Sequence, residues 1–449
     1  MSGPSLETPP KDGIFVPGRD PGLQLLKGNA PLWTEVKGAK IKTDLWTDNE
    51  HIIRAWRREQ RIHVNSRRMD TTYELGAQLA VVEDIAFPSS FASLGPRWFF
   101  NGVGGQRLWV KYYRAHRKAN ENTPQRDAFS AHFTQARAAD PTPIAETGED
   151  VRALPYVIDA RNLWNYYHFM SETFCHLALL DDLPGHKGEI LIHCPQTEPK
   201  PYVMAFLEAL FPDLVERVRF VGVPHRYGRA LTAFVPNYYL FQAPEAASAE
   251  LHGRLKPSRH WNWDLPEGPT MRTLWRNAYM RSLRLLRERA ARAIEGLEAS
   301  HLPKRAWITR KATGGRDRSF AAEADVERGL HARGFETLSF EDLPPLEQIA
   351  LMYRAEAISS YHGAGFTNLI YAGRKTQVIE LGTLQSGVRR LSDFMSLAHV
   401  SGCRYTVGIC DSTPAITDHR GDISGKNHHV AITPAGLEMY FARVDQLLS

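Results

Sequence analysis

Residues 359–381 read SSYHGAGFTNLIYAGRKTQVIEL, and this stretch decides the fold of the part of the chain around it. It predicts a strand, a glycine turn, a short helix and a second strand, with polar groups at the turn and at the strand ends. Gly363, Ala364 and Gly365 would let an anion approach the backbone, and the following helix would aim its free N–H groups at that anion. Glu380 ends the second strand, where a carboxylate can accept hydrogen bonds from sugar hydroxyls. The stretch therefore predicts a small-anion or nucleotide site in an α/β domain.

Strands alternate with helices in two parts of the chain. The first part has predicted strands at 154–159 and 189–194 and predicted helices at 166–180 and 203–211. The second part has predicted strands at 305–309, 335–339, 357–361 and 376–381 and predicted helices at 323–333 and 346–354. Such alternation indicates a parallel sheet in each part. A long basic helix over 271–297 separates the two parts, and a closing helix is predicted over 436–448. We therefore predict an α/β protein with two Rossmann-like domains.

Length and composition are those of a globular protein of more than one domain. The chain has 449 residues, 43% of them hydrophobic and 23% charged, and one hydrophobic core seldom serves a chain of this length. The net charge of +5 is modest, and no concentrated basic stripe indicates a nucleic-acid partner. No run of about 18 apolar residues occurs and the first residues lack the pattern of a signal peptide, so we expect the protein in the cytoplasm. The arginines of the basic helix leave two interpretations open, a solvated helix between domains and a peripheral contact with the inner membrane surface.

The four cysteines are predicted to be buried, reduced thiols. They lie far apart in the sequence, without a Cys-x-x-Cys pair or a histidine partner at zinc-finger spacing. The chain also contains no Asp-x-Asp pair of the kind that holds a divalent cation against a diphosphate. We therefore expect no metal and no other cofactor. The four thiols are those of Cys175, Cys194, Cys403 and Cys410.

Two separated blocks of residues carry a family resemblance. One is the turn from His362 to Asn368, His-Gly-Ala-Gly-Phe-Thr-Asn, followed by the apolar strand that ends in Glu380. The other is Asn-Tyr-Tyr-His-Phe at 165–169, with Glu172 one helical turn later. Between the blocks, and in the order of the family's pattern, stand Arg310, Arg316 or Arg318, Glu323 and Gln348. Over about residues 150–410 the chain resembles glycosyltransferase family 61.

The resemblance implies an inverting enzyme of class EC 2.4 that moves a sugar from a nucleotide-sugar donor to a hydroxyl of a glycan or glycolipid acceptor. It also implies the GT-B architecture, in which two Rossmann-like domains face each other across a cleft. The alanine- and arginine-rich composition suggests a bacterial source and hence the synthesis of a cell-surface polysaccharide or lipopolysaccharide. One position departs from the family: the residue before Glu323 is usually Asn and is Ala322 here, so any donor contact from that side chain is absent.

The pattern of strands and helices, together with this resemblance, gives the predicted domain limits. The expected parts are an irregular N-terminal arm over 1–70, an acceptor domain over 71–265, a basic linker helix over 266–300, a nucleotide-sugar domain over 301–410, and a tail with the closing helix over 411–449.

Fixed positive charge is needed where the donor's diphosphate leaves, because its negative charge grows as the glycosidic bond breaks. Arginine suits this position because its planar guanidinium stays charged and binds phosphate oxygens in pairs. The candidates are Arg310, Arg316 and Arg318, together with the backbone of the turn. His362 would contact a phosphate or the donor sugar, and Glu380 would bind the ribose hydroxyls. Asn368 would either cap the turn or contact the nucleotide, and Gln348 would organise the site from its helix.

Inversion also requires a base within reach of the attacking hydroxyl. His168 and Glu172 are four residues apart and share one face of a helix, and a carboxylate next to an imidazole raises its basicity. Asp159, at the end of the preceding strand, is a competing candidate for the base. A different class of function stays open at this point, a non-catalytic nucleotide- or glycan-binding scaffold with a transferase fold.

Overall fold

A computed structural model describes residues 13–28, 30–65, 71–109, 131–132, 135, 142–239, 278–310, 320, 322–418 and 428–449. The chain divides into two compact units. Unit 1 comprises Met1–Glu35 and Tyr73–Leu286, and unit 2 comprises Val36–Thr72 and Arg287–Ser449. Both units are mixed α/β structures.

The strands are, in chain order, β1 (Leu23–Leu26), β2 (Trp33–Lys37), β3 (Lys40–Leu45), β4 (Thr71–Leu75), β5 (Gln78–Phe87), β6 (Ala92–Leu94), β7 (Arg97–Phe99), β8 (Glu146–Thr147), β9 (Tyr156–Asp159), β10 (Ile190–His193), β11 (Val218–Val221), β12 (His225–Phe234), β13 (Ala278–Met280), β14 (Arg305–Thr309), β15 (Glu336–Ser339), β16 (Ala357–Tyr361), β17 (Gln377–Thr383), β18 (Arg404–Thr413) and β19 (His429–Ala431).

The α-helices are α1 (Glu50–Asn65), α2 (Gly102–Trp109), α3 (Tyr166–Glu172), α4 (Pro201–Leu210), α5 (Arg281–Ala293), α6 (Glu323–His331), α7 (Pro345–Arg354), α8 (Leu384–Arg389), α9 (Leu391–Ser401) and α10 (Pro434–Leu448). Short 3₁₀ helices at Phe174–Asp182 and Ala364–Tyr371 follow two of the segments that carry motif residues.

The sheet of unit 1 has the strand order β11-β10-β9-β12-β5-β1-β8, with β6 paired to β5 and β7 paired to β6. Strands β9, β10 and β11 run parallel, whereas β12 and β5 form a long antiparallel pair. Strands β9 and β10 are buried apolar runs up to their last residue, as expected for strands covered on both faces, whereas β11 is partly exposed. Their carboxyl ends bring Asp159 of β9 next to His193 of β10.

The sheet of unit 2 has the order β15-β14-β16-β17-β18, with β3 and β19 both paired to β18. The strands from β15 to β18 and β3 are parallel, and β19 is antiparallel. Helix α10 closes this unit: its Tyr440 packs on Trp46 and shares a hydrogen bond of 2.7 Å with Ser359. The closing helix that the sequence predicts is therefore present and belongs to the core of unit 2.

The structure differs from the predicted irregular arm. Residues 40–45 form strand β3, paired in parallel with β18, and residues 50–65 form helix α1. Trp46 and Trp56 are fully buried. The sequence did not predict strand β3, because its charged, partly exposed residues alternate with modestly apolar ones. This alternation is typical of a strand at a sheet edge. Residues 1–12 and 66–70 lie outside the described residues.

The basic helix is shorter than the sequence predicts. Helix α5 spans Arg281–Ala293, Ala278–Met280 form strand β13, and residues 271–277 lie outside the described part. In unit 1, Arg281 pairs with Asp182 and Arg284 with Glu74. Among the described residues, no helix is both long and apolar enough to cross a lipid bilayer. All four cysteines are buried and free, which confirms that prediction.

We predict that Gly408→Ala destabilises unit 2. A methyl group on Gly408 would overlap the indole of Trp46, a ring that is buried against Tyr440 and has no room to move. Overpacking of this kind costs about 1–3 kcal/mol. Urea unfolding followed by tryptophan fluorescence should show an earlier transition, whereas Gly228→Ala, where the added methyl meets nothing within 4 Å, should unfold like the wild type. Equal transitions for the two variants would contradict the packing described for Trp46.

Candidate active site

The glycine turn lies at the carboxyl ends of two neighbouring parallel strands of unit 2. Strand β16 ends at Tyr361 and β17 continues to Thr383, and the backbone N–H of His362 donates to the carbonyl of Leu381 at 2.9 Å. The chain then turns at Gly363 into the 3₁₀ helix. Ligands of parallel α/β sheets bind at this edge, so the turn has the position that the sequence predicts for a ligand site.

Arg310 packs directly on the turn. It follows β14, and its guanidinium lies so close to Gly363 that any side chain at this glycine would overlap it. The backbone of Gly363 is extended, with φ of 174°, so glycine is needed here for space and not for its dihedral freedom. The guanidinium also lies over the ring of Tyr361, 5.4 Å from its centre. Gly363 and Tyr361 together therefore hold the cation at the strand ends.

The Arg310 guanidinium is a partly buried cation beside several acidic groups. Burial lowers its pKa, while the neighbouring Tyr361, Glu341, Glu323 and Glu380 act in the opposite direction. Within the described residues no carboxylate lies at ion-pair distance from it. An arginine keeps its charge under these conditions, since its pKa starts above 12. The arrangement provides a fixed positive charge that is suited to an anionic ligand.

His362 is held from behind by a buried carboxylate. Its Nδ1 lies 2.6 Å from Oε1 of Glu380, and the hydroxyl of Tyr405 donates to Oε2 of the same glutamate. Glu380 is only 2% exposed. Burial and the adjacent Glu380 raise the pKa of Tyr405 far above its usual range, so this phenol stays a donor. The prediction that Glu380 contacts ribose hydroxyls does not fit these contacts, because both of its oxygens are already engaged and neither is open to a ligand.

Asn368 and Gln348 brace the turn from beneath. The Asn368 amide donates to Oε1 of Gln348 at 3.1 Å, and Gln348 donates to the carbonyls of Phe340 and Leu343, each at 2.9 Å. Asn368 is 1% exposed, which favours the structural alternative over contact with a nucleotide. The organising role predicted for Gln348 agrees with its bonds. Ala364 and Gly365 are partly exposed at the start of the 3₁₀ helix.

The structure describes only some of the other family-pattern residues between Arg310 and the glycine turn. Glu323 begins helix α6 and accepts a hydrogen bond of 2.6 Å from Thr309, while burial raises its pKa. Ala322 stands at the N-cap of this helix, where no side chain caps the free backbone groups. Arg316 and Arg318 lie outside the described residues.

A pocket opens beside His362 in unit 2. Polar and basic side chains in its wall come from several elements of this unit, and sequence analysis did not bring them together. His428 and His429 had no assigned function from the sequence, and Arg390 lies outside both motif blocks. The charged and polar residues of the wall include His362, Thr383, Gln385, Ser386, Arg390, His428 and His429. Among the described residues, no cluster of three or more His, Cys, Asp or Glu side chains is arranged to hold a metal ion.

The second motif block forms a polar cluster in unit 1. Asn165 caps helix α3 by accepting a hydrogen bond from the backbone N–H of His168, and it thereby sets the start of the helix. His168 and Glu172 then lie one turn apart, with 2.7 Å between Nδ1 of the imidazole and Oε1 of the carboxylate. The side chain of His168 is 23% exposed and that of Glu172 only 10%. The predicted His–Glu pair is therefore formed, with the histidine on the solvent side.

Arg107 of helix α2 joins this pair to Asp159. Its guanidinium forms an ion pair with Asp159 and lies 3.4 Å from Oε2 of Glu172. Burial raises the pKa of Asp159, and the charge of Arg107 opposes that effect. The carbonyl of Asp159 accepts from the hydroxyl of Thr173 at 3.1 Å. Asp159 is thus committed to internal partners, and sequence analysis did not find Arg107 because it lies outside both motif blocks.

Comparison with known proteins supports the resemblance seen in the sequence. The model of the family Glycosyltransferase 61 matches residues 166–379, just under half of the chain, and this range includes the turn at His362 and all of helix α3. No curated protein matches the chain. The family match agrees with the two residue blocks found in the sequence, and with the α/β structure of both units. The match over residues 166–379 supports glycosyltransferase family 61, and the protein is a glycosyltransferase.

Proposed function

We propose that the protein moves a sugar, with inversion, from a nucleotide-sugar donor to a hydroxyl of a glycan or glycolipid, and that it does so without a metal. Unit 2 binds the donor and unit 1 supplies the base. The observation that carries this proposal is the partly buried guanidinium of Arg310, held against Gly363 and Tyr361 at the strand ends without an ion-pair partner among the described residues. A cation in this position is suited to a departing diphosphate.

The donor's diphosphate would bind at Arg310 and His362. With Glu380 at Nδ1, the nitrogen of His362 that remains for a ligand is Nε2, which donates to a phosphate oxygen when the imidazole is charged. Glu380 and Tyr405 therefore position His362 and do not bind the donor themselves. Negative charge that develops on the diphosphate oxygen as the bond to the anomeric carbon breaks is balanced by the guanidinium of Arg310.

His168 would be the base that activates the acceptor. Glu172 accepts the Nδ1 proton of the neutral imidazole, which leaves Nε2 with a free lone pair. Nε2 takes the proton of the acceptor hydroxyl while its oxygen bonds to the anomeric carbon and the bond to the diphosphate breaks. Asp159 is the weaker candidate, because its carboxylate is held by Arg107.

We also propose an architecture and a biological setting, which rest on observations outside the two sites. GT-B architecture is supported by the family match and by the presence of parallel strands in each unit. The alanine- and arginine-rich composition supports a role in the synthesis of a bacterial cell-surface polysaccharide or lipopolysaccharide, and a cytoplasmic reaction is proposed with it.

Nucleotide binding gives the first test. We expect one of UDP, GDP, CMP, dTDP and ADP to raise the melting temperature selectively and equally with and without EDTA, because a ligand of the folded state stabilises it. Arg310→Ala should weaken binding of that nucleotide about 10- to 100-fold in calorimetry, the effect of losing a charged hydrogen bond of about 1.5–3 kcal/mol. Arg328→Ala, which removes an exposed arginine of unit 2, is the control and should bind normally. Unchanged affinity in a folded Arg310→Ala protein would remove Arg310 from the donor site.

Gly363→Ala tests the position of the guanidinium without removing it. The backbone of Gly363 suits any residue, and the three atoms nearest to the new methyl are all at the flexible end of Arg310. The variant should therefore melt close to the wild type and yet bind the selected nucleotide as weakly as Arg310→Ala. A nucleotide affinity equal to that of the wild type would show that binding does not depend on this contact.

His168→Gln tests the base. Loss of general base catalysis should lower kcat for nucleotide release in the presence of acceptor by about 10²- to 10⁴-fold. Nucleotide affinity should be unchanged, because the proposal assigns donor binding to unit 2. His301→Gln, at an exposed histidine, is the matched control. If His168→Gln kept its kcat, the base would have to be sought elsewhere, with Asp159 as the next candidate.

A further inference from the structure

Arg107 lies among the proposed catalytic groups of unit 1, although it lies outside the matched family range of 166–379. We propose that Arg107 is a positioning residue for the base: it neutralises Asp159, orients Glu172, and thereby keeps His168 as a neutral imidazole with Nε2 free to accept a proton. This inference rests on the proposed function, since it takes His168 as the base.

The fold brings helix α2 unusually close to Asp159. Gly104 lies so near the carboxylate that a side chain there would begin 3.4 Å from its Oδ2, and one at Gly105 would meet the backbone of Phe100 at 2.8 Å. Asn101 anchors the start of the helix by two hydrogen bonds to β12 and the residue that follows it. The glycine-rich sequence at 102–105 therefore serves to place the guanidinium of Arg107.

The guanidinium has a defined orientation. Its Nε donates to the carbonyl of Ser90, its Nη2 pairs with Asp159, and its Nη1 faces Glu172. The side chains of Arg107, Asp159 and Glu172 are all less than one-fifth exposed. A planar group with three engaged nitrogens fixes the plane of its partners, which a single ammonium group does not do.

The charges of the cluster explain why this residue bears on the base. Two carboxylates face one guanidinium, so the cluster of Arg107, Asp159, Glu172 and His168 retains one net negative charge when the imidazole is neutral. Without Arg107, the same imidazole would face two unbalanced carboxylates, which stabilise its protonated form. A protonated imidazole has no lone pair for the acceptor hydroxyl. Arg107 would therefore maintain the basic form of His168 although it does not touch the reacting atoms.

Titratable groups near the cluster, among the described residues, include the phenol of Tyr167, whose ring centre lies 5.3 Å from that of His168, and two thiols. Cys175 lies near Glu172, and burial raises its pKa to about 12. Cys194 lies near Arg107 and Asp159, and burial raises its pKa as well. Both thiols stay neutral near pH 7 and leave the charge balance to Arg107, Asp159, Glu172 and His168.

The experiment follows the protonation of His168 directly. Full-length protein labelled with ¹³C and ¹⁵N at histidine would be measured by NMR across pH, with the signals of His168 assigned by their loss in His168→Gln. In the wild type at pH 7 we expect the neutral form with the proton on Nδ1. In Arg107→Met the population of this form should fall several-fold at pH 7, and the acid side of the kcat/KM profile should move to higher pH. In Arg107→Lys, the population of the neutral form should lie between those of the wild type and of Arg107→Met.

Two further variants separate charge balance from a purely structural effect. Arg107→Met combined with Asp159→Asn removes one charge of each sign and should restore much of the neutral imidazole. Arg226→Met removes an arginine from an exposed two-bond pair with Asp84 in the same unit, and should leave His168 and the turnover of the enzyme unchanged. If Arg107→Met lowers stability but leaves the His168 signals and the pH profile of the folded protein unchanged, Arg107 is only structural and the proposal is wrong.

The NMR measurement needs no donor or acceptor, so its result is independent of the proposed function. A shift in His168 with no effect of His168→Gln on turnover would retain the coupling but reject His168 as the base. If Arg107→Met left the His168 signals unchanged while His168→Gln abolished activity, His168 would remain the proposed base and the role of Arg107 would be rejected.

Discussion

A carboxylate removed from water must find donors for both of its oxygens, and this constraint organises the polar groups of both units. In unit 2, Glu380 is almost fully buried between Tyr405 and His362. In unit 1, Glu172 lies between Arg107 and His168. In each glutamate, one carboxylate oxygen contacts an interior donor, and the other contacts a histidine that is more exposed than the glutamate. The orientation of both histidines therefore follows from the burial of their partners.

Strand ends place these groups where a ligand can reach them. Parallel strands of an α/β sheet end at a common edge, so residues that are distant in sequence become neighbours there. In unit 2 the ends of β14 and β16 bring Arg310 against Gly363, more than fifty positions further along the chain. In unit 1 the end of β9 carries Asp159, and the next helix begins with the cap at Asn165. The glycines contribute by leaving space, so that a guanidinium can lie against the backbone in unit 2 and helix α2 can approach Asp159 in unit 1.

Much of this arrangement was accessible from the sequence, and the failures have identifiable causes. Strands 305–309 and 357–361 were predicted with their exact limits, because apolar runs bounded by charge and glycine leave little ambiguity. The pair His168–Glu172 followed from helical spacing alone. The role of Glu380 did not, because a sequence shows that a carboxylate ends a strand but not that Tyr405, on the neighbouring strand, will bind it. Arg107 could not be found for the same reason: its partners are 52 and 65 positions away, and no local pattern marks the contact.

The two sites differ in how they treat positive charge, and the difference fits the proposed chemistry. In unit 1 the guanidinium of Arg107 contacts two carboxylates. The cluster therefore has an excess of negative charge, which suits its histidine to accept a proton. In unit 2 the described carboxylates near Arg310 stay beyond ion-pair distance, while Glu380 is satisfied by His362 and Tyr405. A guanidinium held by a glycine and an aromatic ring keeps its capacity to bind an anion, because neither neighbour neutralises it. Arg107, in helix α2, therefore belongs to the cluster of the proposed base, whereas Arg310, at the carboxyl end of β14, is the proposed partner of the leaving group.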